Sequence, residues 1–312
     1  MPWTKELEQA RRGRQTYRRL MRRGVLSVSK LLLTSGGEVL KLRQMEATEA
    51  HYKRPARRYK LPRYDEALPV YRSSEPFLRP TPYCNCQVPE VIALANSLGA
   101  FRISDRAFAE AAFEFAKEKL TLEIAPIDGV AETLRRGTGT CFQLITVFIA
   151  LCRAAGIPAR YKIFSTLMID AWREATIDAD PLVQKWYDSL GYFLLEGEGE
   201  AYVDGEWLVA HVGPTSERQA AAGIPLSQLG EDAIGSWFIA RPDSTMWLES
   251  LPRGLVIGSH ILHKLSPGSM ERINVSVQRE IAEGFQVIAD AGGREAYDRQ
   301  TRRQPQPAVM PG

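Results

Sequence analysis

Cysteine is scarce in this sequence, with four residues among 312, and so few thiols do not make a disulfide-stapled scaffold. Cys84 and Cys86 are too close together for an ordinary zinc-binding pair. Long hydrophobic runs are missing as well, because the best one, Leu144 to Cys152, is far shorter than the roughly 18 residues of a membrane span. No apolar block with a small-residue cleavage site marks a secretory signal. We therefore expect a globular protein of the reducing cytoplasm, without a transmembrane segment.

Cofactor-binding signatures are absent too. The chain has neither a Gly-x-x-x-x-Gly-Lys-Ser loop nor a Gly-x-Gly-x-x-Gly turn between a strand and a helix, which removes the main nucleotide-binding motifs. Among only four histidines, His260 and His263 are spaced so that a helix could present both as a metal pair, or one as a catalytic base. No neighbouring Cys and no His-Glu-x-x-His arrangement completes a metal site, so we expect no metal and no cofactor.

Charge is distributed unevenly along the chain. Residues 1–60 hold 16 Lys and Arg against 5 Glu, whereas the remaining residues hold 24 basic against 32 acidic side chains. Seven arginines lie in a predicted helix from about Thr4 to Arg23, where helical spacing spreads them around most of the cylinder. This basic arm could contact nucleic acid, an anionic membrane surface or another acidic partner, or fold back on the acidic body of its own chain.

The pattern of apolar residues and turn residues predicts the order of elements. A proline-rich stretch at 61–90 favours an extended connector. Helical spacing then predicts a helix from Val91, a second helix capped by Ser104 and a short third element ending at Leu134. Strands are predicted at Ala159 to Phe164, Phe193 to Val203 and Trp207 to Val212, with an Asp204-Gly205 hairpin turn and later helices at Met270 to Ala289 and Arg294 to Arg303.

Cys141 lies in the most informative motif, Thr138-Gly139-Thr140-Cys141-Phe142-Gln143, before an apolar helix that ends at Gly156-Ile157-Pro158. Thr138 or Thr140 can cap this helix, which puts Cys141 in its first turn. There the peptide dipoles and unpaired backbone N–H groups favour a thiolate and can receive an oxyanion. The position predicts a cysteine that attacks carbonyl groups. The alternative is an inert buried thiol, as we predict for Cys152 about three turns farther along.

The Cys141 motif and the helix that follows it resemble the nucleophile segment of the transglutaminase-like cysteine acyltransferase and protease superfamily. The resemblance covers roughly Pro82 to Gly254. It implies an α+β fold in which helices pack on an antiparallel β-sheet, a papain-like or transglutaminase-like core, here with N- and C-terminal helical extensions. The expected segments are a basic helical arm at 1–60, a proline-rich connector at 61–90, a catalytic core at 91–254, a C-terminal helical extension at 255–303 and a disordered tail at 304–312.

The resemblance continues in Glu200-Ala201-Tyr202-Val203-Asp204-Gly205-Glu206-Trp207 but fails at the catalytic positions. Glu196 stands where the family has its histidine, and His211 stands where it often has the orienting aspartate. A base and a carboxylate are thus both present with their places exchanged. Opposite residues on antiparallel strands lie about 5 Å apart, so the two groups can meet from either direction. We predict a rearranged triad of Cys141 as nucleophile, His211 as base and Glu196 as orienting carboxylate.

Two members of this predicted triad, His211 and Glu196, have alternatives. His211 could be a structural histidine of a strand, and Glu198 is the nearest rival of Glu196. The resemblance implies thiol-dependent acyl transfer, which means amide bond formation or hydrolysis through a Cys thioester. The expected substrate is a small peptide or a carrier-bound metabolite, as in bacterial tailoring enzymes of biosynthesis. The second hypothesis is a catalytically inactive member that acts as a binding module, and the replaced histidine supports it.

Overall fold

The computed structural model describes residues 3–44, 51–232 and 238–303. The N-terminal arm is one long helix, α1 (Thr4–Gln44), broken at Ser35, whose φ of −143° is not helical. It runs past the predicted end at Arg23 because residues 25–34 contain neither Gly nor Pro. The arm packs back on the body of the chain. A β-carbon at Gly13 would lie 2.7 Å from the carbonyl oxygen of Trp247, and one at Gly24 would lie 2.9 Å from Leu194 Cδ2.

Residues 51–88 form neither helix nor strand and run across the helices that follow. Two hydrogen bonds show how this segment is held. Tyr59 Oη donates to the carbonyl oxygen of Leu134 at 2.5 Å, and the backbone N–H of Tyr71 donates to the carbonyl oxygen of Ala154 at 2.9 Å. One side-chain and one backbone hydrogen bond thus hold the segment against α4 and α5, the two helices that contain Leu134 and Ala154.

Four helices form one layer of the core. Ser104 caps the second of them as predicted, since its hydroxyl accepts a hydrogen bond from the N–H of Ala107. The last is buried along almost its whole length, from Phe142 to Ala154. A short parallel pair, β1 (Thr121–Leu122) and β2 (Thr138–Gly139), precedes it. The helices are α2 (Pro89–Ser97), α3 (Asp105–Glu118), α4 (Val130–Arg136) and α5 (Cys141–Ala154).

The second layer is a five-stranded antiparallel sheet. Its order is β5-β4-β3-β6, and β7 pairs with another part of β3. The predicted Asp204-Gly205 turn joins β4 to β5, with positive φ angles of 53° and 88°. The expected α+β fold, with helices on an antiparallel sheet, is confirmed. The strands are β3 (Ala159–Leu167), β4 (Phe193–Val203), β5 (Glu206–Ala210), β6 (Ile239–Ala240) and β7 (Met246–Leu248).

Glycines of β4 let the sheet approach α5 closely. A β-carbon at Gly197 would lie 3.0 Å from the ring of Phe142, and one at Gly199 would lie 2.8 Å from the ring of Phe148. A side chain at either position would push helix and sheet apart. Because the contact is close, the first turn of α5 is fixed relative to the strand that carries Glu196.

The remaining helices lie in the insertion after β3 and in the C-terminal extension. The longest, α10, packs on α8 so closely that a β-carbon at Gly284 would lie 1.8 Å from the carbonyl oxygen of Glu217. Within the described residues, no helix is long and apolar enough to cross a membrane. The predicted tail at 304–312 lies outside the described residues. The elements are α6 (Asp170–Arg173) with a π-helical turn (Glu174–Asp178), α7 (Pro181–Leu190), α8 (Ser216–Ala221), α9 (Arg253–Leu265), α10 (Pro267–Asp290) and α11 (Arg294–Thr301).

Candidate active site

Cys141 is the first residue of α5, and Thr140 is the N-cap. The backbone N–H of Thr140 donates to Gln143 Oε1 at 2.9 Å, so the side chain of the third helical residue reaches back to the cap. The amide group of Gln143 in turn donates to Asp128 Oδ1 at 2.6 Å. This chain of hydrogen bonds fixes the start of the helix, and with it the position of the half-buried thiol.

The thiol of Cys141 lies beside the carboxyl group of Glu196, close enough for the two groups to interact. Gly213 makes room for this contact. A β-carbon there would lie 3.0 Å from the β-carbon of Cys141 and 3.6 Å from Glu196 Oε1. On the other side, Cys141 packs against an apolar cluster formed by β1 and α10. The structure thus brings together two members of the predicted triad, Cys141 and Glu196, in an enclosed place.

The electrostatic environment of the thiol differs from the one expected at a helix start. Burial raises the pKa of Cys141 well above its usual 9.0, and the carboxylate of Glu196 raises it further. The backbone N–H of Phe142 and the charge of Arg218 act in the opposite direction but are weaker. The expectation that the thiolate is favoured is therefore wrong, because burial and the carboxylate of Glu196 outweigh the Phe142 N–H and the charge of Arg218.

Glu196 is buried as well, and burial raises its pKa from 4.5 to about 7. Three groups act against that shift: the N–H of Gly197, which donates to Glu196 Oε1 at 3.0 Å, the positive charge of Arg218, and the thiol itself. A carboxyl group with a pKa near neutrality can both take up and give back a proton at neutral pH. That property is the one required of a general base.

Arg218 of α8 is a site residue that the sequence did not reveal. Its guanidinium is buried, and its Nε donates to Glu280 Oε2 of α10 at 2.6 Å. Its charge lowers the pKa of both Cys141 and Glu196. The two partners of this ion pair come from separate helices, and no local spacing connects them. Only the packing of α10 on α8 brings them together.

His211 follows the end of β5 and is fully buried. Its ring packs edge-on against Phe238, with 5.4 Å between centroids. Burial, and next the charges of Lys117 and Lys162, lower the pKa of His211 well below 6.5. The imidazole is therefore neutral at physiological pH, and its surroundings oppose protonation. Its role as the base of the triad stays a prediction.

The register of β4 and β5 shows which acid lies across from His211. The ladder between the two strands ends with Gly199 opposite Ala210. Continuing that register places His211 opposite Glu198, and Gly213 opposite Glu196. Glu198 also forms an ion pair with Lys162, with 3.0 Å between Oε2 and Nζ. The sequence already contained this pairing. The two-residue Asp204-Gly205 turn fixes the register of the hairpin, and counting back from the turn places Glu198 opposite His211.

The remaining candidate side chains are two histidines of α9 and Cys152. His260 lies on α9, and its Nε2 is 3.0 Å from the carbonyl oxygen of Ile127. Burial lowers the pKa of His263 on the same helix. Among the described residues, no group of three or more His, Cys, Asp or Glu side chains could hold a metal ion. Cys152 is fully buried in the hydrophobic core.

Comparison with known proteins agrees with this geometry. Residues 92–208, which include Cys141 and Glu196, match the family model of the transglutaminase-like superfamily. This segment is a transglutaminase-like domain. The match confirms the family suggested by the Cys141 motif, and it supports cysteine-dependent acyl transfer or hydrolysis as the general chemistry. The matched residues end before His211 and Arg218.

A crystal structure of a Cytophaga hutchinsonii protein, provisionally named a cysteine protease, is similar to this chain at 19% sequence identity. The similarity covers 54% of this chain and has a TM-score of 0.34. The chain spans 46% of that protein's length. No match was found among curated proteins.

Proposed function

We propose that the transglutaminase-like domain catalyses acyl transfer through Cys141. The sulfur attacks the carbonyl carbon of an amide, ester or thioester, and a thioester with the enzyme replaces the bond to the leaving group. An amine or water then attacks that thioester and restores the thiol. The backbone N–H of Phe142, which already faces the sulfur, is suited to hold the oxyanion of each tetrahedral intermediate.

The observation that carries this proposal is the placement of the Glu196 carboxyl group beside Cys141. A β-carbon at Gly213 would lie 3.0 Å from the β-carbon of Cys141 and 3.6 Å from Glu196 Oε1. As the sulfur attacks, its proton moves to the carboxylate, and the resulting carboxylic acid protonates the leaving amine. The pKa of about 7 for Glu196 suits both halves of that cycle. Arg218 supports it by stabilising the negative charge that the pair carries once the proton is shared.

The triad predicted from the sequence assigns the proton transfer to His211 and the orienting role to Glu196. The position of the Glu196 carboxyl group beside Cys141 favours Glu196 as the first proton acceptor, and we propose His211 as the alternative. The two assignments differ in the expected kinetics of the variants. If Glu196 is the base, Glu196→Gln lowers the acylation rate by at least about 100-fold, whereas His211→Gln, isolated as a folded protein, retains most of it. If His211 is the base, the ranking is reversed.

We propose a small peptide or a carrier-bound metabolite as the acyl donor, in amide bond formation or hydrolysis. The apolar cluster that Cys141 contacts, made of residues from β1 and α10, favours a slender chain over the surface of a folded protein. It also keeps bulk water from part of the thioester, which favours transfer to an amine. Adding an amine such as glycinamide during turnover separates the outcomes, because an acceptor site gives an amide product and a hydrolytic site gives only the acid.

Acyl-enzyme formation tests the central step without knowledge of the natural substrate. We expect p-nitrophenyl acetate to release one equivalent of p-nitrophenol in a burst and to add one acetyl group to Cys141, as read by intact mass and peptide mapping. Cys141→Ala is expected to abolish both signals. The matched control is Cys152→Ala, which removes a buried thiol from the same helix and is expected to keep them. Acetylation that persists in Cys141→Ala would contradict the proposal.

The raised pKa of the thiol favours a second candidate function, a transglutaminase-like binding module without catalysis. A thiol that stays neutral at pH 7 is a poor nucleophile unless a base takes its proton. In that case the folded protein would show no burst with activated esters, and Cys141 and Cys152 would react with iodoacetamide equally slowly. Glu196→Gln would then leave the reactivity of Cys141 unchanged.

A further inference from the structure

Helix α9 exposes an unusual amount of apolar surface. Six of its thirteen residues are Leu, Ile or Val, all thirteen are described, and Val256 alone is buried. Ile257, Ile261, Leu262 and Leu265 are exposed, with Ile257 at 57%. A helix this apolar is normally covered along one face.

Helix α1 presents a second apolar surface next to α9. An open cavity of about 580 Å³ lies along α1 and reaches the first turn of α9. It is lined on the α1 side by Met21, Val25 and Leu26 together with Arg18 and Arg22, and on the α9 side by Gly254. Contact between the helices is fixed at one end, where a β-carbon at Gly254 would lie 3.1 Å from the hydroxyl oxygen of Tyr17.

Helical spacing makes the exposed residues of each helix continuous with this cavity. On α9, Ile257, Ile261 and Leu265 follow Gly254 at intervals of three and four residues, and therefore share its face. On α1, Leu32 and Leu33 continue the row that begins with Arg18 and includes Arg22 and Val25. Leu33 is 88% exposed. The α1/α9 face, as we call these two rows and the cavity where they begin, presents exposed apolar residues on both helices, with arginines at the cavity.

The charge of the α1/α9 face has one sign. Residues 9–37 of α1 contain eight Lys and Arg but no Asp or Glu, and the whole of α9 contains no acidic residue. Arg253 and Lys264 add basic groups at the two ends of α9. The body of the chain, by contrast, is acidic, since residues 61–312 hold 24 basic against 32 acidic side chains. The charged side chains in the two rows and in α9 are thus all basic.

We propose that the α1/α9 face binds the surface of an anionic membrane. A helix pair with exposed Leu, Ile and Val and flanking Lys and Arg places its aliphatic side chains among the acyl chains and its cations at the lipid phosphates. A second copy of this chain is disfavoured because it would bring the same positive charges together. A protein partner is disfavoured because the polar rim of a protein–protein interface pairs charges of both signs, and the two rows offer only positive ones.

Sedimentation with vesicles tests this surface with the full-length protein. We expect binding to vesicles of equal parts phosphatidylglycerol and phosphatidylcholine, weak binding to phosphatidylcholine alone, and loss of binding in about 1 M salt. Ile261→Glu and Leu33→Glu are each expected to weaken binding by at least about tenfold, and Arg22→Gln by about fivefold. The matched control is Ile103→Glu, an exposed isoleucine before α3, which is expected to bind like the wild type.

Two results would overturn the proposal. In the first, Ile261→Glu, Leu33→Glu and Ile103→Glu weaken vesicle binding to the same extent, or none of them weakens it. The other is the absence of binding to anionic vesicles at low salt, which would leave the face to an acidic protein partner. Circular dichroism of each variant verifies that the fold is intact. The readout does not depend on acyl transfer, so it can succeed or fail independently of the proposed activity.

Discussion

Cys141 and Glu196 are two acids in one buried place, and burial opposes the ionisation of both. The pKa of Cys141 lies well above 9.0 and that of Glu196 at about 7. In the resting protein at neutral pH, the proton therefore stays on the sulfur while the carboxyl group is partly ionised. In the proposed reaction, the thiol gives up its proton as a carbonyl carbon takes the electron pair of the sulfur. By that mechanism, Cys141 stays protonated until the acyl donor arrives.

Glu196→Gln is expected to stabilise the fold above pH 7 and to change little near pH 4. Burial raises the pKa of Glu196 from 4.5 in the unfolded chain to about 7 in the fold. As the pH rises, the unfolded chain loses this proton first, so stability is lost between these two values and stays lost above them. The loss is on the order of 3 kcal/mol. Glutamine cannot ionise, and its carbonyl oxygen still accepts the N–H of Gly197.

Urea unfolding at about pH 5 and about pH 8 measures this difference. The control is Glu206→Gln on β5, an acid whose side chain is 64% exposed, and it should have a small effect at both pH values. An equal change for Glu196→Gln at the two pH values would show that Glu196 is already ionised in the fold at low pH. That result would also remove the basis for its role as a base of near-neutral pKa.

Among the elements, α10 depends on one glycine for its position. We expect Gly284→Ala to destabilise the protein by more than about 2 kcal/mol, because the new β-carbon would lie 1.8 Å from the Glu217 carbonyl oxygen. The displacement of α10 from α8 would also stretch the Arg218–Glu280 ion pair and lower the acylation rate of Cys141. Thermal unfolding and the p-nitrophenol burst measure the two effects.

Gly258→Ala on α9 is the matched control, since a β-carbon there meets nothing within 4 Å. Alanine is the better helix former, so this change is expected to be neutral or to stabilise the protein by up to about 1 kcal/mol. If Gly284→Ala and Gly258→Ala lost stability equally, the loss would come from replacing a glycine within a helix, whatever its contacts. The close contact of α10 with α8 would then not be its cause.

Elements whose signals are local were predictable from the sequence. The cap at Ser104, the strand from Phe193 to Val203 and the Asp204-Gly205 turn each depend on a few consecutive residues, and the structure contains all three. The raised pKa of Cys141 was not predictable, because it depends on burial and on a carboxylate from another strand. The pairing of Arg218 with Glu280 was not predictable either, because it exists only once α10 has packed on α8.

At the scale of the whole molecule, the candidate site draws on more of the chain than the matched domain. Residues 92–208 match the transglutaminase-like family, and they supply Cys141 and Glu196. Gly213, which makes room at the thiol, follows that segment, and Arg218 with its partner Glu280 comes from α8 and α10. The apolar wall beside the thiol also comes partly from α10. A chain cut at the end of the matched domain would therefore lack a large part of the site.

Arg153 connects three distant segments in the interior. Its guanidinium is fully buried and donates to the carbonyl oxygens of Ala159 at 2.8 Å, Arg79 at 3.1 Å and Glu249 at 2.7 Å. These acceptors lie at the start of β3, before α2 and after β7. We expect Arg153→Met to cost about 2 to 4 kcal/mol, because it keeps the apolar stem but leaves one buried and two partly buried carbonyls without their donor. Denaturant unfolding measures the loss.

Arg106→Met is the control for removing an arginine as such, since Arg106 is 43% exposed and its ion pair with Asp204 is at the surface. It is expected to change stability by less than about 1 kcal/mol. If Arg153→Met were equally mild, water would have to reach the three carbonyls, and the interior would be open at the C-terminal end of α5. If the loss is large and unfolding stays a single transition, the connector, the helix layer and the sheet form one cooperative unit. The thiol at the other end of α5 then keeps its place only while that unit is intact.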